Sequence, residues 1–130
     1  MSDNKKDIKT SKLTNTTDQF FKLVEMIIQN PELSKLFEGH PNFRIDHNDK
    51  EAVKKRWYMI LRFSSWELIY LQYKEGLINK EDMDIWLHFM LSTLQNCPEW
   101  YDLWQKTQKD WDGEFSRYIF SKLSGNTNLI

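Results

Sequence analysis

A chain of 130 residues is the size of one ordinary domain, and a fold of that length buries roughly two thirds of the surface its unfolded form exposes. Eighteen basic residues against nineteen acidic ones give a net charge of −1, which excludes a global field for drawing in nucleic acid or an anionic membrane. Six Trp and an aromatic share of 15% beside only four Gly and three Pro favour long helices over a many-turned β-sandwich, and a lone cysteine, Cys97, excludes an internal disulfide.

Residues 1–14 carry Lys5, Lys6, Lys9 and Lys12 with few apolar side chains, too little burial to offset the entropy of ordering the backbone. They are expected to form a flexible arm, followed by a single helical domain over 15–123 and a frayed tail over 124–130. Thr16-Thr17-Asp18-Gln19 has the form of a capping box, so the first helix is expected to start there. Phe20, Val24, Ile27 and Ile28 recur along it at helical spacing until Asn30-Pro31 interrupts. Pro31 then opens a short helix through Leu33, Leu36 and Phe37.

Residues 39–48 mix glycine, proline and Asx residues without periodicity and read as a loop. Its His40, Asp46 and His47, with Asp49, match no zinc or calcium spacing, so a solvated loop is expected and no metal. From about 49 to 75 nothing breaks a helix, a rod of about 40 Å. Val53, Trp57, Ile60, Leu61, Leu68 and Leu71 form one apolar stripe on it, and Met59, Phe63, Trp66, Tyr70 and Tyr73 a second. A helix apolar on two sides belongs at the centre of a bundle.

Gly76 supplies a left-handed stop and Asn79 the cap of the next helix. That helix sets Met83, Trp86, Leu87, Met90, Leu91 and Leu94 on one face, leaving Ile85 and Phe89 off it as an expected packing or oligomer contact. Cys97-Pro98 opens a further helix with Trp100, Leu103 and Trp104. Asp112-Gly113 breaks it, and a last helix over 114–123 carries Phe115, Ile119 and Leu123. The fold class expected is all-α, a bundle of five to six helices around the long central helix (about 49–75), with no β-sheet. No apolar run of ~18 residues is present, so no bilayer-spanning helix is expected, and a reducing cytoplasm fits the single cysteine.

Two groups of side chains invite a functional reading. Glu67 lies between the two stripes of the central helix and is expected to be largely buried. A buried carboxylate must find a partner or take up a proton. The partner expected is an indole, a Tyr hydroxyl such as that of Tyr70, or Arg117, and the role structural. Lys54, Lys55 and Arg56, with Arg62 further along, form the strongest basic cluster, suited to a nucleotide or another phosphorylated ligand. Most basic runs at a helix start are only solvated, and here they oppose the helix dipole.

The pattern Trp66-Glu67-x-x-Tyr70-x-x-Tyr73-x-x-Gly76-Leu77-Ile78, then Trp86, Pro98-x-x-Tyr101-x-x-Trp104 and Glu114-Phe115-x-x-Tyr118-Ile119, resembles the soluble α-helical domain of a broad group of small, functionally uncharacterised bacterial proteins. The likeness covers about residues 17 to 120. It implies an architecture and no catalytic motif, and in that group one or two transmembrane helices often precede the domain. In this chain the hydrophilic residues 1–14 stand at that place.

The chain has no Gly-rich phosphate loop, no His-Glu-x-x-His and no Gly-x-Ser-x-Gly. The expectation is therefore a non-enzymatic interaction or regulatory module, self-associating or bound to a protein partner, with no cofactor. The second expectation is a sensor that binds a nucleotide or other phosphorylated signal, for example in bacterial antiviral defence, through Lys54, Lys55, Arg56 and Arg62.

Overall fold

The structure is a computed structural model that describes residues 2–125, with side chains over 15–125 apart from Asn42. Among these residues the fold is all-α. Five α-helices follow one another: α1 (Ser2–Gln29), α2 (Lys50–Lys74), α3 (Lys80–Asn96), α4 (Pro98–Thr107) and α5 (Gly113–Gly125). Short 3₁₀ turns lie at Pro31–Phe37, Pro41–Phe43 and Gln108–Asp110. The chain divides into two compact units, 1–65 and 66–130, and α2 gives its first half to one and its second half to the other. The expected long helix over 49–75 is thus present almost to the residue.

In the first unit, α1 runs back through the stretch expected to be an arm, since the backbone is helical from Ser2. The capping box at Thr16 lies inside this helix instead of at its start. No Gly or Pro interrupts the sequence from Ser2 to Gln29, and a Ser, Thr or Asn inside a helix costs only a few tenths of a kcal/mol each relative to Ala, so nothing forces a break there. Val24 and Ile27, with Thr17 two turns earlier, are the buried side chains of α1 among the described residues. The helix stops where expected: the Asn30 amide and side chain both donate to the Met26 carbonyl, at 2.9 and 3.1 Å, and Pro31 denies a further donor. The helix expected to follow is the 3₁₀ turn Pro31–Phe37, which lies along α1.

Asp49 caps α2, its carboxylate accepting from the Ala52 amide at 3.1 Å. Val53, Trp57, Ile60, Phe63 and Ser64 are buried on α2 within this unit. Phe37 and Phe43 are packed onto Trp57: the Phe43 ring stacks on it with centroids 4.4 Å apart, and Phe37 meets it edge-on at 5.1 Å. Contacts of this kind contribute about 0.5–1.5 kcal/mol beyond the area they bury. The loop expected over 39–48 is ordered, and it is anchored by the buried side chains of Phe43 and His47.

In the second unit, α2 ends as the sequence predicts. Gly76 has φ 79°, the Leu77 amide reaches the Gln72 carbonyl at 2.9 Å and the Gly76 amide the Tyr73 carbonyl at 3.0 Å, which is the Schellman arrangement. Asn79 caps α3 by accepting from the Asp82 amide at 2.8 Å. α3 packs against both α4 and α5, burying Met83, Leu87, Met90, Leu91 and Leu94. Trp86, expected among them, is 40% exposed, at the edge of the buried face between Met90 and Phe89. Leu103 and Ile119 add to this core, and aromatic pairs complete it: Trp66 stacks on Trp100 at 5.9 Å, and Trp104 meets Phe115 edge-on at 5.5 Å. Asp112 caps α5, its carboxylate accepting from the Phe115 amide at 3.1 Å. The tail expected over 124–130 lies outside the described residues apart from Ser124 and Gly125, which continue α5.

Candidate functional site

Four groupings bring polar or exposed apolar side chains together. The first is built on Glu67. Its carboxylate accepts the backbone N–H of Asp112 at 2.6 Å, which ties the middle of α2 to the turn that opens α5. Neither an indole, a tyrosine hydroxyl nor Arg117 fills the expected role. Glu67 is half-buried, because its side chain reaches outward to that turn. Burial pushes its carboxyl above the ordinary range, the Asp112 amide pulls it back, and the nearby Asp112 carboxylate raises it again.

Tyr70, one turn further along α2, is buried as expected, between Phe115 at 5.6 Å and Tyr118 at 4.8 Å. Burial raises the phenols of Tyr70 and Tyr118 above the ordinary value. Lys74 pairs with Glu114 at 3.2 Å, and the bond to that carboxylate holds its ammonium above the usual value. Arg117, expected as a buried partner, is exposed; its guanidinium lies over Gly113 at the start of α5. Perturbed ionisation clusters at functional sites. Here each shift has a local structural cause, and Glu67 is already engaged by an amide, so the cluster reads as a joint between α2 and α5.

The second grouping was not legible in the sequence. Trp57, Ser34 and His47 are all buried, Ser34 completely. The Trp57 indole N–H donates to Ser34 Oγ at 3.1 Å, Ser34 Oγ lies 2.8 Å from His47 Nδ1, and His47 Nε2 lies 2.9 Å from the Phe43 carbonyl. A carbonyl only accepts, so Nε2 carries the proton. Nδ1 then accepts from the Ser34 hydroxyl, and every polar atom of the chain is satisfied with a neutral imidazole. A serine donating to histidine is also the geometry of an activated nucleophile. Ser34 is closed to substrate and one of its acceptor positions is taken by the indole, so the arrangement fastens the 30–49 segment to α2. His47 is thus not part of a solvated loop. His40 and Asp49 point elsewhere, one on the Phe43 ring and one capping α2, and among the described residues no group of three metal-ligating side chains converges.

The third grouping is the basic cluster. Lys54, Lys55 and Arg62 lie on one face of α2 within an arc of about 100°, while Arg56 falls on another side. Lys54 and Lys55 are exposed and Arg62 half-buried. Tyr58, half exposed, stands between them.

The fourth is apolar. Ile85 is 65% exposed, Phe89 50% and Trp86 40%, adjacent on the outer side of α3. Ile85 and Phe89 stand clear of the buried face, as their spacing implies, and Trp86 joins them. No helix among the described residues is long and apolar enough to cross a membrane. In comparisons with known proteins, no family model, no curated protein and no solved structure matches this chain.

Proposed function

We propose that the chain is a non-enzymatic interaction module that self-associates through the outer face of α3. The observation that supports this reading is the side-by-side exposure of Ile85, Trp86 and Phe89 at positions i, i+1 and i+4 of a helix whose opposite face is fully packed. Single exposed apolar residues are normal on any surface, but three large ones within about 100° of arc on one helix form a patch whose burial is favourable. Tryptophan and phenylalanine are also the side chains that anchor interface centres.

A second copy suits this face in an antiparallel sense. The first turn of α3 carries Glu81 and Asp82, with Lys80 already paired to Asp84, whereas its last turn is uncharged, with Thr93 and Asn96. Antiparallel pairing sets each acidic turn beside a neutral one, and a two-fold axis brings Trp86 of each copy near Phe89 of the other. Parallel pairing sets acid against acid.

Sedimentation velocity at tens of micromolar tests the reading. A dimer that Phe89→Glu converts to a folded monomer, and that Lys80→Ala leaves intact, supports it. A wild-type chain that is strictly monomeric at that concentration removes it.

A further inference from the structure

We propose that the outer face of the first half of α2 binds single-stranded nucleic acid, with Tyr58 as the stacking platform and Lys54, Lys55 and Arg62 as the phosphate contacts. This rests on a different element face from the α3 surface and does not depend on self-association.

The placement follows from spacing. Lys54, Tyr58 and Arg62 are four residues apart along the helix, and Lys55 is three before Tyr58 and seven before Arg62, so all four share one side. The buried side chains Val53, Trp57, Ile60 and Ser64 occupy the opposite side and hold the helix in this orientation. The row from Lys54 to Arg62 spans about 12 Å of helix. Glu51 shares the face and lies 4.0 Å from Lys54, so three cations are offset by one carboxylate. The remaining excess is local, on a chain whose net charge is only −1.

Three kinds of anion compete for such a face, and its shape separates them. A helix exterior is convex, so a mononucleotide meets one or two of the cations and is not enclosed, whereas tight small-ligand sites are concave. A lipid surface requires several large apolar side chains beside the cations, and this face offers only Tyr58, since Val53, Trp57, Met59, Ile60 and Phe63 are buried in the fold. An extended strand follows the row, sets its phosphates on successive cations and offers an unpaired base to the ring between them. A duplex keeps its bases stacked and cannot use Tyr58 in that way.

The test is fluorescence anisotropy of a labelled oligothymidine with the full chain across a salt series. The expected result is weak, salt-dependent binding whose log–log slope is about −2, as for three phosphates on a single strand. Tyr58→Ala is expected to weaken it about tenfold, the loss of one stacked base. Lys55→Glu and Arg62→Glu are each expected to weaken it and to flatten the slope. Because Arg62 is half-buried, far-ultraviolet circular dichroism accompanies each variant, and Lys55→Glu, at an exposed position, carries the charge test if Arg62→Glu misfolds. Inorganic polyphosphate and vesicles rich in anionic phospholipid are run in parallel. No oligonucleotide binding at low salt overturns the proposal. So does binding that Tyr58→Ala leaves unchanged and polyphosphate matches, which is plain polyanion attraction, or binding confined to the vesicles.

Discussion

The backbone N–H of Asp112 donates to the Glu67 carboxylate across 2.6 Å, and the same Asp112 turns its own carboxylate to the Phe115 amide at the start of α5. Two acids thus divide the donors of one helix N-terminus, a position that favours negative charge. The energetic balance is unfavourable for Glu67 all the same, because desolvation and the neighbouring Asp112 charge outweigh the amide bond and leave its carboxyl raised.

A raised folded-state value means that the unfolded chain ionises first as pH climbs. The contribution of Glu67 is fully present below the unfolded carboxylate value of about 4.3 and is lost as pH rises through the higher folded value. At neutral pH the charge therefore costs stability. Glu67→Gln keeps an acceptor for the Asp112 amide and removes that cost, so its Tm at pH 7.5 should exceed that of the wild type by roughly 1–2 °C. The gain should shrink toward pH 5. A lower Tm for Glu67→Gln at every pH would mean that the ionised acceptor outweighs its desolvation.

Ser34 makes a second, sharper prediction. Ser34→Ala leaves the indole N–H of Trp57 without its acceptor and Nδ1 of His47 without its donor, both in buried surroundings. Each such orphan costs ~1–3 kcal/mol, so a loss of about 2–4 kcal/mol in urea unfolding is expected. Trp57→Phe removes the donor along with the need for it and retains an aromatic ring against Phe43. In a double-mutant cycle the two substitutions should couple by ~1 kcal/mol. A Ser34→Ala loss below about 0.5 kcal/mol would show that water replaces the hydroxyl.

How far these features were legible depends on their range along the chain. The stop at Gly76 and the cap at Asn79 are made of bonds between near neighbours, Leu77 to Gln72 and Asp82 to Asn79, and a sequence window contains all the information they need. The partner of Glu67 lies 45 residues away on a backbone amide, which has no side-chain signature at all. Ser34, His47 and Trp57 are separated by 13 and 23 residues, and a serine in a short apolar helix followed by a histidine in a loop predicts nothing by pattern. Trp86 failed for a different reason. It sits at the edge of the apolar stripe of α3, where a wheel cannot decide between core and surface and only the positions of α4 and α5 do. The start of α1 failed because a capping box is permissive: without a helix breaker before it, Thr16 has nothing to terminate.

Two glycines at helix ends separate backbone strain from side-chain crowding. Gly76 holds φ 79°, so Gly76→Ala puts a Cβ into the left-handed region at a cost of ~1–2 kcal/mol, read as a lower urea midpoint. At Gly113 an added Cβ would meet the tip of the Arg117 guanidinium at 3.1 Å, the far end of a flexible and exposed side chain. Arg117 can swing aside, and alanine reduces the freedom of the unfolded chain, so Gly113→Ala should stabilise by roughly 0.4–1 kcal/mol. A loss at Gly113 that Arg117→Ala does not relieve would place the obstacle in the backbone.

Tyr70 and Tyr118 carry the alkaline counterpart of the Glu67 argument. Their rings lie against each other at 4.8 Å, and burial raises both phenols above the ordinary value of 10.0. For Tyr70 the nearby Lys74 pulls the other way without cancelling the effect. The unfolded chain again ionises first, so stability is fully present below the unfolded phenol value and is lost as pH rises through the folded one. Ultraviolet titration of phenolate should show a late-ionising component that Tyr70→Phe and Tyr118→Phe each diminish. The double variant should also lose part of the wild-type drop in Tm above about pH 10, since a phenylalanine keeps the packing and has nothing to ionise. If the phenolate signal is complete before the alkaline drop begins, ionisation of these two rings is not what unfolds α5 from α2, and the Lys74–Glu114 pair, which weakens as the ammonium deprotonates, becomes the cause to test by Lys74→Arg.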